Sequence, residues 1–128
     1  MIIKRYLVTA AVFLVFDIVW LGLVAPKLYK QHIGHLMAEK ASLIPAAVFY
    51  LIFVAALLFF VVNPAIAANS VWRAAWTGAF LGFAMYATYD LTNMATLKDW
   101  PLAITAIDLA WGTFVTTVTS VIATLILK

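Results

Sequence analysis

The stretch YLVTAAVFLVFDIVWLGLVA, residues 6–25, decides the fold class of this chain. It contains one charged side chain, Asp17, and it is as long as the run of about 20 apolar residues with which a helix crosses the ~30 Å hydrocarbon layer of a membrane. Its apolar residues are continuous rather than alternating, which favours a helix over a strand in lipid. We therefore predict that residues 6–25 form a membrane-spanning helix.

The composition of the whole chain agrees with this prediction. Of 128 residues, 67% are hydrophobic and only 10% are charged, and the mean hydropathy is +1.10. A soluble domain of this size carries about 25% charged residues. The composition predicts one integral membrane domain over residues 1–128. The absence of cysteine excludes disulfides and thiolate metal sites, and the scattered basic residues exclude a nucleic-acid-binding surface.

Three further apolar runs follow the first, and short connections join the last three of the four runs. Short connections make consecutive helices antiparallel neighbours. The sequence therefore predicts an all-α four-helix membrane bundle. The four predicted spans are Tyr6–Ala25, Leu43–Val62, Val71–Thr92 and Leu102–Leu127.

Proline and capping residues mark the predicted ends of these spans. Pro26 is predicted to end the first span, and Asn63-Pro64 the second, because proline interrupts helical hydrogen bonding. Asn69-Ser70 and Asp99 are residues that cap helices, so we expect them to begin the third and fourth spans, with Pro101 in the first turn of the fourth.

The longest connection, KLYKQHIGHLMAEKAS at residues 27–42, has apolar residues on one side of a helical wheel and polar ones mostly elsewhere. This pattern is typical of a short helix that lies in the membrane interface. Tyr29 and His35 are the side chains that we assign to the interface, with His35 in a local hydrogen bond. His32 and His35 alone indicate no metal site, and no cofactor is expected.

Three of the five acidic residues, Asp17, Asp90 and Asp108, fall inside predicted spans, whereas Glu39 and Asp99 belong to connections. An aspartate in mid-membrane costs about 2.5–3.5 kcal/mol on insertion scales, and such a residue indicates function by default. With a rise of about 1.5 Å per residue, all three aspartates fall in the half of the membrane nearer the first and third connections. We expect them to meet there.

Polar and small residues accompany each acid at helical spacing. Asp17 and Asp108 each precede a tryptophan by one turn, and an indole N–H can hydrogen-bond a carboxyl group without adding charge. Gly78 and Gly82 allow a close helix contact, through which we expect a homodimer to form. The predicted ligand-binding residues are Asp17, Trp20, Tyr86, Tyr89, Asp90, Asn93, Asp108 and Trp111, and the predicted packing glycines are Gly78, Gly82 and Gly112.

This pattern leaves three functions open. Few countercharges lie within the spans, so the acids are expected to hold a proton or to bind a cation or small polar ligand for transport. A second reading is an enzyme or accessory factor that acts on membrane lipid, guided by Lys27–Lys40. A third is a structural protein in which the acids only bridge helices, each for about 1 kcal/mol or less.

Three blocks of the chain resemble the DUF2177 family of small bacterial predicted membrane proteins. They are DIVWLGLVAPKLYKQHIGHLMA, YDLTNMATLKDWP and IDLAWGT, and the resemblance covers nearly the whole chain. It implies a four-span protein of the bacterial inner membrane and assigns no activity and no catalytic residue. The basic residues divide almost evenly between the two sides, and we expect both termini in the cytoplasm.

Overall fold

The computed structural model describes residues 1–38, 40 and 42–128, and the regular elements in this part of the chain are all helical. The predicted all-α class is therefore confirmed. Glu39, assigned above to a connection, lies outside the described residues. The α-helices are α1 (Ile2–Val19), α2 (Ala25–Ile33), α3 (Leu43–Leu57), α4 (Asn63–Ala67), α5 (Val71–Thr96) and α6 (Leu102–Leu127).

These helices form four rods, because α1 continues into α2 and α3 continues into α4. Within the described residues, three rods are long and apolar enough to cross a membrane: Ile2–Leu36, Leu43–Ala67 and Leu102–Leu127. The remaining rod, α5, has the same length of 26 residues as α6. Arg73, Asp90 and Asn93 are among the polar side chains that lower its hydropathy.

Both predicted proline breaks are wrong, and for the same reason. Each proline follows a five-residue π-helical segment. Trp20–Val24 ends two residues before Pro26, and Leu58–Val62 ends two residues before Pro64. Each proline then occupies the first turn of the next α-helix, where its missing N–H removes no needed hydrogen bond. The first rod therefore runs past Ala25 to Leu36, and the second runs past Val62 to Ala67.

The two predicted caps have different outcomes. Ser70 begins α5, and its hydroxyl accepts a hydrogen bond of 3.0 Å from the Arg73 amide, as predicted. Asp99 does not cap α6, because it lies in the preceding turn with a positive φ of 59°. Pro101 is the residue at the start of α6, and the indole of Trp100 donates a hydrogen bond of 3.0 Å to Thr105 in the first turn.

The hairpin of α5 and α6 is the most closely packed part of the fold. A Cβ atom at Gly78 would lie 2.6 Å from the Ser120 hydroxyl oxygen, and one at Gly82 would meet the Gly112 backbone and Thr116. The α6 helix therefore covers the Gly78/Gly82 face. This overturns the prediction that a second copy of the chain packs against that face.

The other rods complete a bundle around α6. The α1 helix packs on α6, α3 packs on α1, and the π-helical segment Leu58–Val62 contacts α5, α6 and α1. Phe13, Phe53, Leu57, Val61 and Val115 are among the buried side chains of this core. Many large apolar side chains remain on the outer surface, which is the expected surface of a protein in lipid.

The helix predicted in the first connection exists as α2, followed by a short 3₁₀ turn at Gly34–Leu36. It is a continuation of the first rod rather than a separate element. Its Tyr29 side chain reaches α6. The long connection is therefore helical for most of its length, and only residues 37–42 separate the first rod from the second.

Candidate functional site

The three aspartates of the spans are all buried in the bundle. Asp17 on α1 is 4% exposed, Asp90 on α5 is 0% exposed and Asp108 on α6 is 3% exposed. Their surroundings contain tyrosines and other carboxyl groups, and no lysine or arginine acts on them from the described part of the chain. Three acidic groups from three helices are thus held inside, and no lysine or arginine of the described residues compensates their charge.

Asp17 is held by a tyrosine from the second rod. The hydroxyl of Tyr50 donates a hydrogen bond of 2.6 Å to a carboxyl oxygen of Asp17, which ties α3 to α1. Tyr50 was not among the site residues predicted from the sequence. A usable signal was present, since Tyr50 is the only side chain between Leu43 and Val62 that can form a hydrogen bond.

Asp108 is held by a tyrosine from α2. The hydroxyl of Tyr29 donates a hydrogen bond to a carboxyl oxygen of Asp108, across 79 positions of sequence. Tyr29 was predicted to face the membrane interface, but the structure directs it into the bundle against α6. This becomes possible because the helix continues past Pro26 and brings α2 alongside the start of α6.

Asp90 differs from the other two acids because neither of its carboxyl oxygens has a hydrogen-bond donor in the described residues. The carboxyl group of Asp108 is a close neighbour of it. Two carboxyl groups can hydrogen-bond each other only when one of them carries a proton. Asp90 and Asp108, which we call the carboxyl pair, therefore form the unsatisfied part of the site.

Tyr86 lies beside the acidic cluster. Asp17, Asp90 and Asp108 are all within electrostatic range of its hydroxyl group. Its ring occupies the space beside Gly112, where a Cβ atom would overlap the ring carbons. The small residue on α6 therefore allows the α5 tyrosine to sit among the acids.

The two tryptophans stack on each other, and the one on α6 does not act as predicted. The rings of Trp20 and Trp111 stack with centroids 4.4 Å apart and planes 8° from parallel. The buried indole N–H of Trp111 has no hydrogen-bond partner in the described residues. The acids Asp17 and Asp108 are bonded by tyrosines instead, so the indole–carboxyl interpretation is wrong for Trp111. The stacked pair joins the first rod to α6 beside the acids.

The remaining predicted site residues lie around the edge of the cluster. Tyr89 is 56% exposed and packs edge-on against Trp100, and Asn93 is half-buried one turn further along α5. His35 is exposed, and the local hydrogen bond of this segment, 2.8 Å long, joins His32 Nδ1 to the Leu28 carbonyl. Among the described residues, no three histidine, aspartate or glutamate side chains form a metal-binding group.

An apolar cleft of about 320 Å³ lies beside the cluster, between α3 and α5. Its walls are Phe49, Met85, Tyr86 and Tyr89. Tyr86 and Tyr89 are also within electrostatic range of Asp90 and Asp108, and Tyr86 packs on Gly112, one helical turn from Asp108. The Tyr86 side chain therefore connects the cleft wall to the region of the carboxyl pair.

Comparison with known proteins places the chain in a family. It matches none of the curated proteins and none of the solved structures with which it was compared. A family model described as "Predicted membrane protein (DUF2177)" matches residues 2–125, which is nearly the whole chain. The match agrees with the resemblance found in the sequence, with the three membrane-crossing candidates and with the apolar outer surface. The chain belongs to the DUF2177 family of predicted membrane proteins.

Proposed function

We propose that this protein is a membrane carrier in which the carboxyl pair, Asp90 and Asp108, binds a proton or a small cation. The observation that carries the proposal is Asp90 itself, which is fully buried and has no hydrogen-bond donor for either oxygen in the described residues. A group that costs about 2.5–3.5 kcal/mol to insert and has only another acid as its partner among the described residues is expected to serve an exchangeable ligand.

The structural alternative accounts for two of the three acids. Asp17 and Asp108 bridge helices through Tyr50 and Tyr29, as cross-helix hydrogen bonds in membranes do. Among the described residues, Asp90 has no partner except the neighbouring carboxyl group. A purely structural role therefore leaves the most deeply buried acid unexplained, and we favour transport.

A role in membrane lipid chemistry is the second candidate. The apolar cleft favours it, because a 320 Å³ space between helices at the protein surface suits a hydrocarbon chain. The burial of the carboxyl groups behind Tyr86 supports a role in lipid chemistry less well than the cleft does. Lipid extracts of cells with and without the gene test this role, and identical extracts under several growth conditions contradict it.

The carrier proposal includes a topology. We infer that α5 is a fourth span, because it is as long as α6 and packs against it along most of its length. The α2 helix then lies at the membrane interface, with Lys27 and Lys30 on its exposed side. The membrane is the bacterial inner membrane, and both termini face the cytoplasm.

A homodimer is part of the same proposal, since four helices enclose little space for a pathway. The second copy packs on a surface other than the Gly78/Gly82 face, which α6 covers. The oligomeric state in nanodiscs, measured by mass photometry, tests this point. A strictly monomeric protein that still transports contradicts it.

Transport is tested with purified protein in liposomes that contain a pH-sensitive dye. A potassium gradient with valinomycin drives proton uptake, and the initial rate of acidification is measured. Asp90→Asn is expected to abolish uptake. Asp99→Asn is the matched control, because it makes the same chemical change at an exposed turn whose positive φ asparagine tolerates. Unchanged uptake in Asp90→Asn contradicts the proposal.

A further inference from the structure

We infer that the cleft between α3 and α5 binds a lipophilic ammonium ion, which exchanges with a proton of the carboxyl pair. The inference rests on the proposed function and names the substrate class of that site. Its starting point is the cleft wall, where three of the four lining residues, Phe49, Tyr86 and Tyr89, are aromatic. The faces of aromatic rings attract cations, and quaternary ammonium groups are commonly recognised in this way.

The charge next to the cleft also favours a cation. Tyr86 forms part of the cleft wall and packs on Gly112, and Asp90 and Asp108 each lie one helical turn from this contact, on α5 and α6. Within the described part of the chain, no lysine or arginine neutralises these acids. A positively charged head group is therefore attracted to this end of the cleft, whereas an anionic lipid head group is repelled.

The size and position of the cleft restrict the ligand further. A volume of about 320 Å³ is at the lower end of the range for small-molecule sites. Phe49 and Tyr89 are 43% and 56% exposed, so the cleft opens on the outer surface of the bundle, towards lipid. A ligand with one ring or a short alkyl chain and one ammonium group fits this shape and approaches from the membrane.

Tyr86 controls contact between the ligand and the acids. Its ring packs on Gly112, and this residue has no side chain that would block movement of the ring. A rotation of this side chain connects the cleft to the carboxyl pair. The ammonium ion then pairs with a carboxylate, and the proton that this carboxyl group held leaves to water, so that the charge of the occupied site is unchanged.

Titratable side chains face the carboxyl pair from each helix that packs against it. They are Asp17, Tyr29, Tyr50, Tyr86 and Tyr89. Tyr29 and Tyr50 are donors to carboxyl groups, and Asp17 is already bonded to Tyr50. The exchanging proton is therefore assigned to Asp90 and Asp108.

The test uses benzyltrimethylammonium, a quaternary ion that has no proton of its own to release. Protein in nanodiscs in weakly buffered solution is titrated with it, and both bound ligand and released protons are measured. We expect saturable binding with about one proton released per ion bound. Neopentylbenzene has the same shape without the charge and is expected not to displace the ion.

Variants locate the site. Phe49→Ala is expected to weaken binding about fivefold, as the loss of one aromatic face does. Phe83→Ala is the matched control, because Phe83 is exposed to a similar extent, 46% against 43%, and lies outside the cleft wall. Asp90→Asn is expected to abolish proton release. Circular dichroism and gel filtration of each variant establish that it is folded.

The outcomes separate this inference from the proposed function. Equal binding of the neutral analogue, no proton release, or equal effects of Phe49→Ala and Phe83→Ala contradicts the ammonium site. If the liposome assay still gives proton uptake that depends on Asp90, only the ammonium inference fails. If uptake does not depend on Asp90, the proposed function fails, whatever the cleft binds.

Discussion

The ring of Tyr86 lies against the backbone of Gly112, in the space that a side chain at position 112 would occupy. This contact joins α5 to α6 at the level of the acids. The Tyr86 hydroxyl is within electrostatic range of Asp17, Asp90 and Asp108. One glycine on α6 therefore determines how the centre of the candidate site is assembled.

The Gly112→Ala variant is expected to be less stable, because its methyl group overlaps the Tyr86 ring. Overpacking of this kind costs about 1–3 kcal/mol. The free energy of unfolding is measured by titration with SDS from detergent micelles. Gly22→Ala is the control, since a Cβ atom there meets no other atom within 4 Å. Equal stability of Gly112→Ala and the natural protein contradicts the placement of Tyr86.

The Gly78→Ala variant tests the closest part of the α5–α6 contact. The added methyl group would lie 2.6 Å from the Ser120 hydroxyl oxygen, so we again expect a loss of about 1–3 kcal/mol. Ser120→Ala removes that oxygen and should restore part of the stability in the double variant. Because α6 covers this face, the oligomeric state should not change. A selective loss of dimer with unchanged monomer stability would favour an intermolecular contact instead.

Hydropathy and local capping residues were sufficient for much of the fold. The all-helical class follows from continuous apolar runs, and the Ser70 cap follows from its position before α5. The rod ends at Pro26 and Pro64 could not be predicted in the same way. A proline ends a helix or begins its next segment depending on whether the preceding turn widens, and the π-helical turns that allow this have no simple sequence signal.

Tyrosine-to-phenylalanine variants test the two bridges to the acids. Tyr50→Phe and Tyr29→Phe each remove one hydrogen bond to a buried carboxyl group, to Asp17 and Asp108 respectively. Each is expected to lower the free energy of unfolding by about 0.5–2 kcal/mol, the range for such bonds in membranes. Tyr89→Phe, at an exposed side chain, should have no measurable effect on stability. A loss as large in Tyr89→Phe would show that the assay reports something other than these bonds.

Periodicity along a helix identified the acids but not their partners. Depth along each span predicted that Asp17, Asp90 and Asp108 lie in one half of the membrane, and the structure buries all three inside the bundle. The partners Tyr50 and Tyr29 lie on other helices, so finding them requires the order of the helices around α6. The same holds for Trp20 and Trp111, which meet each other across the bundle rather than the acids one turn away.

The same substitution, aspartate to leucine, at two of the acids distinguishes a transport role from a purely structural role. Leucine is an apolar side chain of similar length to aspartate, and replacing buried ionisable groups by apolar ones often stabilises a protein. Asp90→Leu removes a carboxyl group that has no donor in the described residues, so the free energy of unfolding should rise, by up to about 3 kcal/mol. Proton uptake by the liposomes should be lost in the same variant.

Asp17→Leu should change stability in the opposite direction. It leaves the Tyr50 hydroxyl buried without its acceptor, which costs about 1–3 kcal/mol. If the free energy of unfolding rises in Asp90→Leu and falls in Asp17→Leu, then Asp17 supports the fold. Asp90 is in that case retained for exchange at a cost to stability. If both variants are destabilised by similar amounts, Asp90 has a bonding partner in the membrane and belongs with the structural acids, and the carrier proposal loses the observation on which it depends.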